Sequence, residues 1–283
     1  METIKQIMPL LPERYAAQIR DGEFSTLEEI RIRSGYPVRM RYRCGERELL
    51  PVSEQAVIEE VLERACQRSI YAYSDTIVNG YVTVPGGHRI GLCGNGVWNG
   101  SRIEHIKEPS SLNIRIAKQM IGCADEAIRS LYCSTLILGP PGCGKTTLLR
   151  DLIRQLSDNR HQNVGVADER GELSAMFGGR SQLELGARTD VMVQVPKGHA
   201  MMCLLRTMNP QWIAVDEITS PGDIAAMDEI AYCGVHILAT AHGACLEDLH
   251  RRPLYRSLLE RKIFQHVLLM DAQKNYRLEE LKT

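Results

Sequence analysis

The segment Thr135 to Arg150, TLILGPPGCGKTTLLR, constrains this chain more than any other. Leu136, Ile137 and Leu138 form a short apolar run of the kind that makes a buried parallel strand. The turn Gly139-Pro140-Pro141-Gly142-Cys143-Gly144 follows, and Lys145, Thr146 and Thr147 lead into a helical pattern. Strand, G-x-x-x-x-G-K-T and helix, in that order, are the context in which this motif forms a phosphate-binding loop. Its glycines let the loop curl with N–H groups turned inward, and the helix adds its free N–H groups and positive dipole end. Lys145 brings a charge to the β- and γ-phosphates, and the Thr146 hydroxyl suits a bridging Mg²⁺. ATP and Mg²⁺ are therefore the expected ligands. A glycine-rich strand-to-helix turn that binds nothing is the competing reading, and the agreement of strand, glycines, Lys-Thr and helix argues against it.

Bulk properties narrow the class further. The 283 residues suffice for one large domain or two modest ones, and 44% hydrophobic with 24% charged residues is a globular balance. A net charge of −1 provides no overall field toward nucleic acid or an acidic membrane. The nine cysteines are odd in number and contain no C-x-x-C pair, which argues against a disulfide framework and a zinc ribbon. A reducing cytoplasm is the expectation. The opening METIKQIMPLLPERYAAQIR does not read as a signal peptide, and no stretch approaches the length of a transmembrane span.

In chain order, residues 1–24 read as a short helical lead-in. Leu27–Arg33 and Pro37–Arg43 alternate as half-buried antiparallel strands, with a turn at Cys44 leading toward Leu49. Ser53 is the expected N-cap of an amphipathic helix carrying Val57, Ile58, Val61, Leu62 and Ala65 and ending near Ser69. Ile77–Val84 and His88–Leu92 flank Pro85-Gly86-Gly87 as a hairpin, and Leu112–Ile116 is another strand. These make a smaller α+β domain over residues 1–120. Residues 121–283 then alternate strand and helix: the loop strand, helix 145–157, strand Val164–Ala167, an irregular stretch Asp168–Lys197, helix His199–Thr207, strand Trp212–Val215, a helix opened by Ser220-Pro221 with Asp223 in its first turn and Gly234 near its end, and strand His236–Ala239. Two strand-like runs, Ile263–Met270 and Asn275–Leu278, close the chain. The fold class expected is α/β, with a predominantly parallel sheet.

Several residues fall where such a sheet would place them beside the loop. Ile213-Ala214-Val215-Asp216-Glu217 is an apolar strand ending in two acids. Asp216 suits the hold on Mg²⁺, and Glu217 suits activation of the attacking water. Asp168 and Glu169 form a second acidic strand end, which orients water or metal, or else is a capping or ion-paired cluster. Thr240 and His242 end the strand after Glu217 and suit a sensor of the γ-phosphate; a structural histidine is the plain alternative. A cation on the developing charge is expected from Arg115, Arg89 or Arg206, if these are not simply solvated.

On GPPGCGKTT, VADERGE, LLRTMNPQWIAVDEI and ATAHG, the second domain resembles the RecA-like core of the type II and type IV secretion ATPases. From LEEIRIRSGYPV through LNIRI, the first domain is similar to that superfamily's N-terminal domain. VNGYVTVPGGHRIGLCG, VADERGELSA and PKGHAMMCLLRTMNPQWIAVDEI carry a narrower resemblance to a sporulation branch. The resemblance implies a homo-oligomeric, hexameric ring with ATP between subunits and the N-terminal domain closing over it. It implies membrane proteins of a sporulation channel as partners, at the cytoplasmic, mother-cell face of a membrane between mother cell and forespore. Two departures stand out. Asp216-Glu217-Ile218-Thr219 lacks the arginine many secretion ATPases carry there, and the four-cysteine zinc element of some type II members is absent.

The leading function is an ATP-hydrolysing motor for a membrane assembly. A nucleic-acid-stimulated RecA-like motor is the second reading, disfavoured by the near-neutral charge. A non-hydrolysing nucleotide-binding scaffold is the third, disfavoured because a scaffold needs no base such as Glu217.

Overall fold

Alternating apolar residues organise the first part of the chain, and unbroken apolar runs organise the second. A computed structural model describes residues 2–101 and 103–281. The chain divides into two compact units, Met1–Lys118 with Ala175–Gln182, and Gln119–Ser174 with Leu183–Thr283. The short excursion 175–182, inside the stretch read as irregular, thus belongs to the first unit.

In the first unit, helices α1 (Glu2–Ile7) and α2 (Glu13–Ala16) precede an antiparallel sheet of β1 (Leu27–Arg33), β2 (Val38–Tyr42), β3 (Gly45–Leu49), β4 (Tyr81–Val84), β5 (His88–Trp98) and β6 (Ile103–Arg115). Their spatial order is β3-β2-β1-β6-β5-β4. Helices α3 (Gln55–Ala65) and α4 (Ser74–Ile77) lie between β3 and β4 in sequence. On β1, Ile30 stands opposite Met40 of β2 and Ile114 of β6, so one sheet face is continuously apolar. The α3 residues Val57, Ile58, Val61 and Leu62 join that face in one buried core.

Four local expectations need correction. Ser53 does not cap α3: its hydroxyl donates to the Arg33 carbonyl at 2.5 Å, and Glu54 occupies the cap without a side-chain bond. The helix stops at Ala65, because Gln67 and Arg68 turn to positive φ (50° and 63°). Ile77 closes α4, and the strand expected from Ile77 begins at Tyr81. Strands β5 and β6 extend far past their expected ends, pairing Asn95 with Lys107 and Val97 with His105.

His88, at the start of β5, is 1% exposed. Its Nδ1 accepts the Ala117 N–H at 3.0 Å, which leaves Nε2–H to donate to Gln6 Oε1 at 3.2 Å. Burial pushes this imidazole down to about 4. Below its ordinary value near 6.5 the unfolded chain takes up a proton that the folded chain refuses until about pH 4, so stability falls as pH falls through that window. The expected loss is about 2–3 kcal/mol, read as the drop in urea-unfolding free energy of the intact chain from pH 7 to pH 4.5. His88→Gln should flatten that slope; an unchanged slope assigns it to other groups.

In the second unit, β7 (Thr135–Gly139), α5 (Lys145–Asp158), β8 (Val164–Asp168), β9 (Thr189–Val193), α6 (Lys197–Thr207), β10 (Trp212–Val215), α7 (Pro221–Tyr232), β11 (His236–His242), α8 (Leu246–Arg251), α9 (Pro253–Glu260), β12 (His266–Met270) and β13 (Tyr276–Glu280) follow in sequence. Their sheet order is β13-β12-β7-β11-β10-β8-β9, parallel except for β13. Strand β9 interrupts the stretch expected to be irregular, and α8 and α9 fill a segment for which the sequence pattern predicts no element. Both sheet faces are covered, so apolar residues run without alternation. Leu136, Leu138, Ile213 and Val215 face a core with α6, α7, α8 and α9, while Ile137, Val166, Ala214 and Leu268 face one with α5. Helix α7 opens as expected: Ser220 Oγ accepts the Asp223 N–H, and the Asp223 carboxylate accepts the Ser220 N–H in return.

The rim where the parallel strands begin is stitched together. Gln211 N–H donates to the Asn163 carbonyl, His236 N–H to the Gln211 carbonyl, Ile237 N–H to Ser134 Oγ, and Gln265 N–H to the Ser134 carbonyl. The opposite rim, where the strands end, holds the candidate site.

Candidate active site

Strand β7 lies between β11 and β12, and β10 is next beyond β11. In a parallel sheet such neighbours bring their C-terminal ends to one rim. Gly139 ends β7, Asp216 follows β10, Asp168 ends β8 and His242 ends β11.

The loop follows from its residues. A Cβ on Gly139 would lie 2.7 Å from Cys143 Sγ and 3.0 Å from both Met270 Cβ and the Met270 carbonyl, so only glycine fits where loop and β12 meet. Gly144 turns with φ +100° to become the N-cap of α5, a conformation that glycine adopts without penalty. Pro140, Pro141, Gly142 and the buried Cys143 complete the curl, and Lys145, Thr146 and Thr147 form the first turn of α5. The first N–H groups of that helix have no intrahelical acceptor and face the loop.

Lys145 is 6% exposed. Its Nζ donates to the carbonyls of Gly139 and Pro140, each at 2.9 Å, and to His242 Nδ1 at 3.0 Å. An ammonium only donates, so Nδ1 accepts and the proton sits on Nε2, which donates to Glu217 Oε1 at 3.2 Å. Lys145, His242 and Glu217 are therefore one hydrogen-bonded chain. A second chain runs beside it. Thr146 Oγ1 donates to Asp216 Oδ2 at 3.0 Å, Thr240 Oγ1 donates to Asp216 Oδ1 at 2.7 Å, and Glu217 N–H donates to Thr240 Oγ1 at 2.9 Å.

Glu217 adopts φ +36°, a left-handed backbone in a residue with a side chain. Glu169 stands at the end of β8 with its side chain 43% exposed, and its Oε2 accepts the Lys197 N–H at 3.3 Å. A cavity of about 20 Å³, room for roughly one water, is bounded by Glu169, Lys197, Asp216 and Glu217 among others.

Asp168 has a different task. Its carboxylate accepts the N–H groups of Glu172, Leu173 and Ser174 and the Ser174 hydroxyl, at 2.6 to 3.1 Å. It is the capping residue of that turn, the plainer of the two readings of this strand end. Arg115 is exposed at the end of β6 in the first unit, with Glu29 and Arg89 as register partners. Arg89 lies over the Tyr81 ring at 3.7 Å, and Arg206 is exposed in the last turn of α6.

Two charged residues escaped the sequence reading. Arg150 is buried on α5 and donates to the carbonyls of Leu173 and Glu172. Burial pulls its guanidinium below the ordinary value, with the Asp168 and Asp216 carboxylates opposing. An arginine inside the apolar stripe Leu148, Leu149, Leu152 was the available signal. Lys197 is 7% exposed; its Nζ donates to the Glu217 carbonyl at 2.7 Å and to Thr219 Oγ1 at 2.8 Å. A lone lysine at a helix start reads as solvated, and only the fold buries it.

Thr146 and Asp216 present hard oxygen donors side by side, the donor type Mg²⁺ takes. Among the described residues no group of three or more His, Cys, Asp or Glu side chains could hold a metal ion. That donor set fits a magnesium completed by phosphate oxygens rather than caged by protein alone.

A mostly parallel sheet with a glycine-rich loop between one of its inner strands and α5, and an acidic pair following a nearby strand, has the arrangement of a RecA-like core. Among solved structures, the fold is similar to a pilus retraction motor, PilT with bound ADP (TM-score 0.59, 14% identity, covering 93% of this chain and 82% of that one). It is also similar to the Legionella pneumophila ATPase DotB (TM-score 0.56, 16% identity, 86% and 72%). The family described as sporulation stage III, protein AA matches residues 1–278, and the chain belongs to it. The stage III sporulation protein AA of Bacillus subtilis strain 168 is 34% identical over 284 residues, 97% of this chain and 92% of that protein. Among the described residues, no helix is long and apolar enough to cross a membrane.

Proposed function

We propose that the chain is a Mg²⁺-dependent ATPase whose cycles drive a membrane assembly during endospore formation. The observation carrying this reading is the convergence of Lys145, Thr146, Asp216, Glu217 and His242 on one sheet rim in two linked hydrogen-bond chains. The loop N–H groups and Lys145 bind the β- and γ-phosphates. Thr146 and Asp216 hold Mg²⁺, which neutralises charge on the phosphates when bound. Glu217 accepts a proton from the water that attacks the γ-phosphorus, and the bond to the β–γ bridging oxygen breaks to leave ADP and phosphate. Glu169 faces the same small cavity and orients that water. His242, touching both Lys145 and Glu217, reports whether the γ-phosphate is present. In this reading residues 1–120 close over the nucleotide, Arg115 supplies a cation to a neighbouring subunit's site, and a hexameric ring works at the mother-cell face of a sporulation channel.

The test is ATPase activity against protein concentration, with mass measured in parallel, with and without ATP and Mg²⁺. Specific activity is expected to rise as a ring assembles. Constant specific activity in a monomer overturns the composite site, and no turnover at any concentration overturns the hydrolase.

A further inference from the structure

Glu217 is held in a backbone conformation that a residue with a side chain seldom adopts, φ +36°. Such a conformation persists only where its surroundings enforce it. On its N-terminal side, Glu217 N–H is held by Thr240 Oγ1 and by Asp216 Oδ1. On its C-terminal side, the Glu217 carbonyl receives the Lys197 ammonium at 2.7 Å. The same ammonium donates to Thr219 Oγ1 at 2.8 Å and lies 3.9 Å from the Asp223 carboxylate and 3.8 Å from that of Glu169. Lys197 also starts α6, and its N–H is bonded by Glu169. One buried cation therefore ties the ends of β8 and β10 to the start of α6, and it lines the water-sized cavity between Glu169 and Glu217.

We infer that Lys197 is the positioning residue for Glu217: by clamping the Glu217 carbonyl and Thr219 it holds the base's backbone in the left-handed turn that aims its carboxylate at His242 and the cavity. Without the clamp the turn relaxes toward an ordinary right-handed conformation, and the carboxylate leaves its place while the phosphate loop stays intact. The inference rests on the ATPase reading and predicts where in the cycle the loss falls. Lys197 touches neither the loop nor Thr146, so nucleotide affinity is spared and turnover is lost. Arginine, with a cation of similar reach, restores part of the clamp.

The experiment compares the full chain with Lys197→Met, Lys197→Arg and Thr219→Val, each also in a Glu217→Gln background. It measures ATP turnover, affinity for a fluorescent ATP analogue and thermal unfolding. Lys197→Met is expected to lower kcat on the order of 30–100-fold, as a small misplacement of a reacting group does, with nucleotide affinity within about threefold. Lys197→Arg should recover at least roughly a third of the lost turnover on a logarithmic scale, and Thr219→Val, losing one acceptor, should lower kcat roughly fivefold. In the Glu217→Gln background Lys197→Met should change the residual turnover by less than about twofold, because residues that act as one unit do not multiply. An unchanged kcat, or an equal loss in both backgrounds, overturns the inference. If Lys197→Met fails to fold, an unchanged kcat in Thr219→Val overturns it instead. No turnover by the unsubstituted chain overturns the ATPase reading, and is thereby distinguished from failure of the clamp.

Discussion

Lys145→Ala is expected to abolish ATP turnover and weaken nucleotide binding, with turnover falling on the order of a hundredfold or more, the scale set by removing a preorganised cation from a phosphoryl-transfer site. Lys145 is almost wholly buried, and its ammonium already touches the loop carbonyls of Gly139 and Pro140. Alanine removes the cation and unties the loop from His242 together. Steady-state turnover and binding of a fluorescent ATP analogue check this, with circular dichroism and thermal melting alongside. A folded Lys145→Ala chain that hydrolyses ATP at the unsubstituted rate removes the phosphate-loop site from the molecule's chemistry.

Glu217→Gln separates binding from chemistry. Glutamine keeps the shape of the side chain and can still accept from His242 Nε2, but it takes no proton from water. Turnover is expected to fall by about 10² to 10⁴, the usual contribution of a general base, with nucleotide affinity within a few-fold. A filter-binding or fluorescence titration beside a phosphate-release assay decides it. Retained turnover hands the base to Glu169, on the other side of the same cavity, and Glu169→Gln would then show the loss. The two outcomes place the proton on β10's loop or on β8's end.

What was legible in the chain was what depends on short stretches. The glycine-rich loop spans few residues between an apolar run and a helical pattern, so the succession of strand, turn and helix is legible there. Trp212–Val215 appears as read, because a four-residue apolar run with acids after it has few other places to go. Where pattern and burial part company, legibility fails. The outer reaches of β5 and β6 pair with one another while exposed on much of both faces, so no alternation marks them. Helices α8 and α9 together are amphipathic, but Pro253 breaks the run between them and hid both. Strand β9 is half-buried along its whole length and short of a strong apolar face.

At the site the same division holds. Asp216, Glu217 and His242 were visible because they sit at or just past the ends of apolar strands. Asp168 and Glu169 are adjacent in sequence and have different roles: the first turns inward to cap residues 172–174, the second outward to the cavity. Period-two alternation says that they diverge without saying which way. Lys197 and Arg150 depend on burial that arises from packing across elements distant in sequence.

The stitched rim at which the parallel strands begin has a practical consequence. Asn163, Gln211 and Ser134 lock the strand starts to one another on the side away from the loop, Asp216 and His242. A spectroscopic label or affinity handle attached at Gln211, which is exposed, reports the orientation of the second unit as a whole from the rim opposite the candidate site. A label on the opposite rim reads changes at the proposed nucleotide site. Paired probes on the two rims would therefore distinguish rigid-body rotation of the unit from rearrangement within it during a cycle.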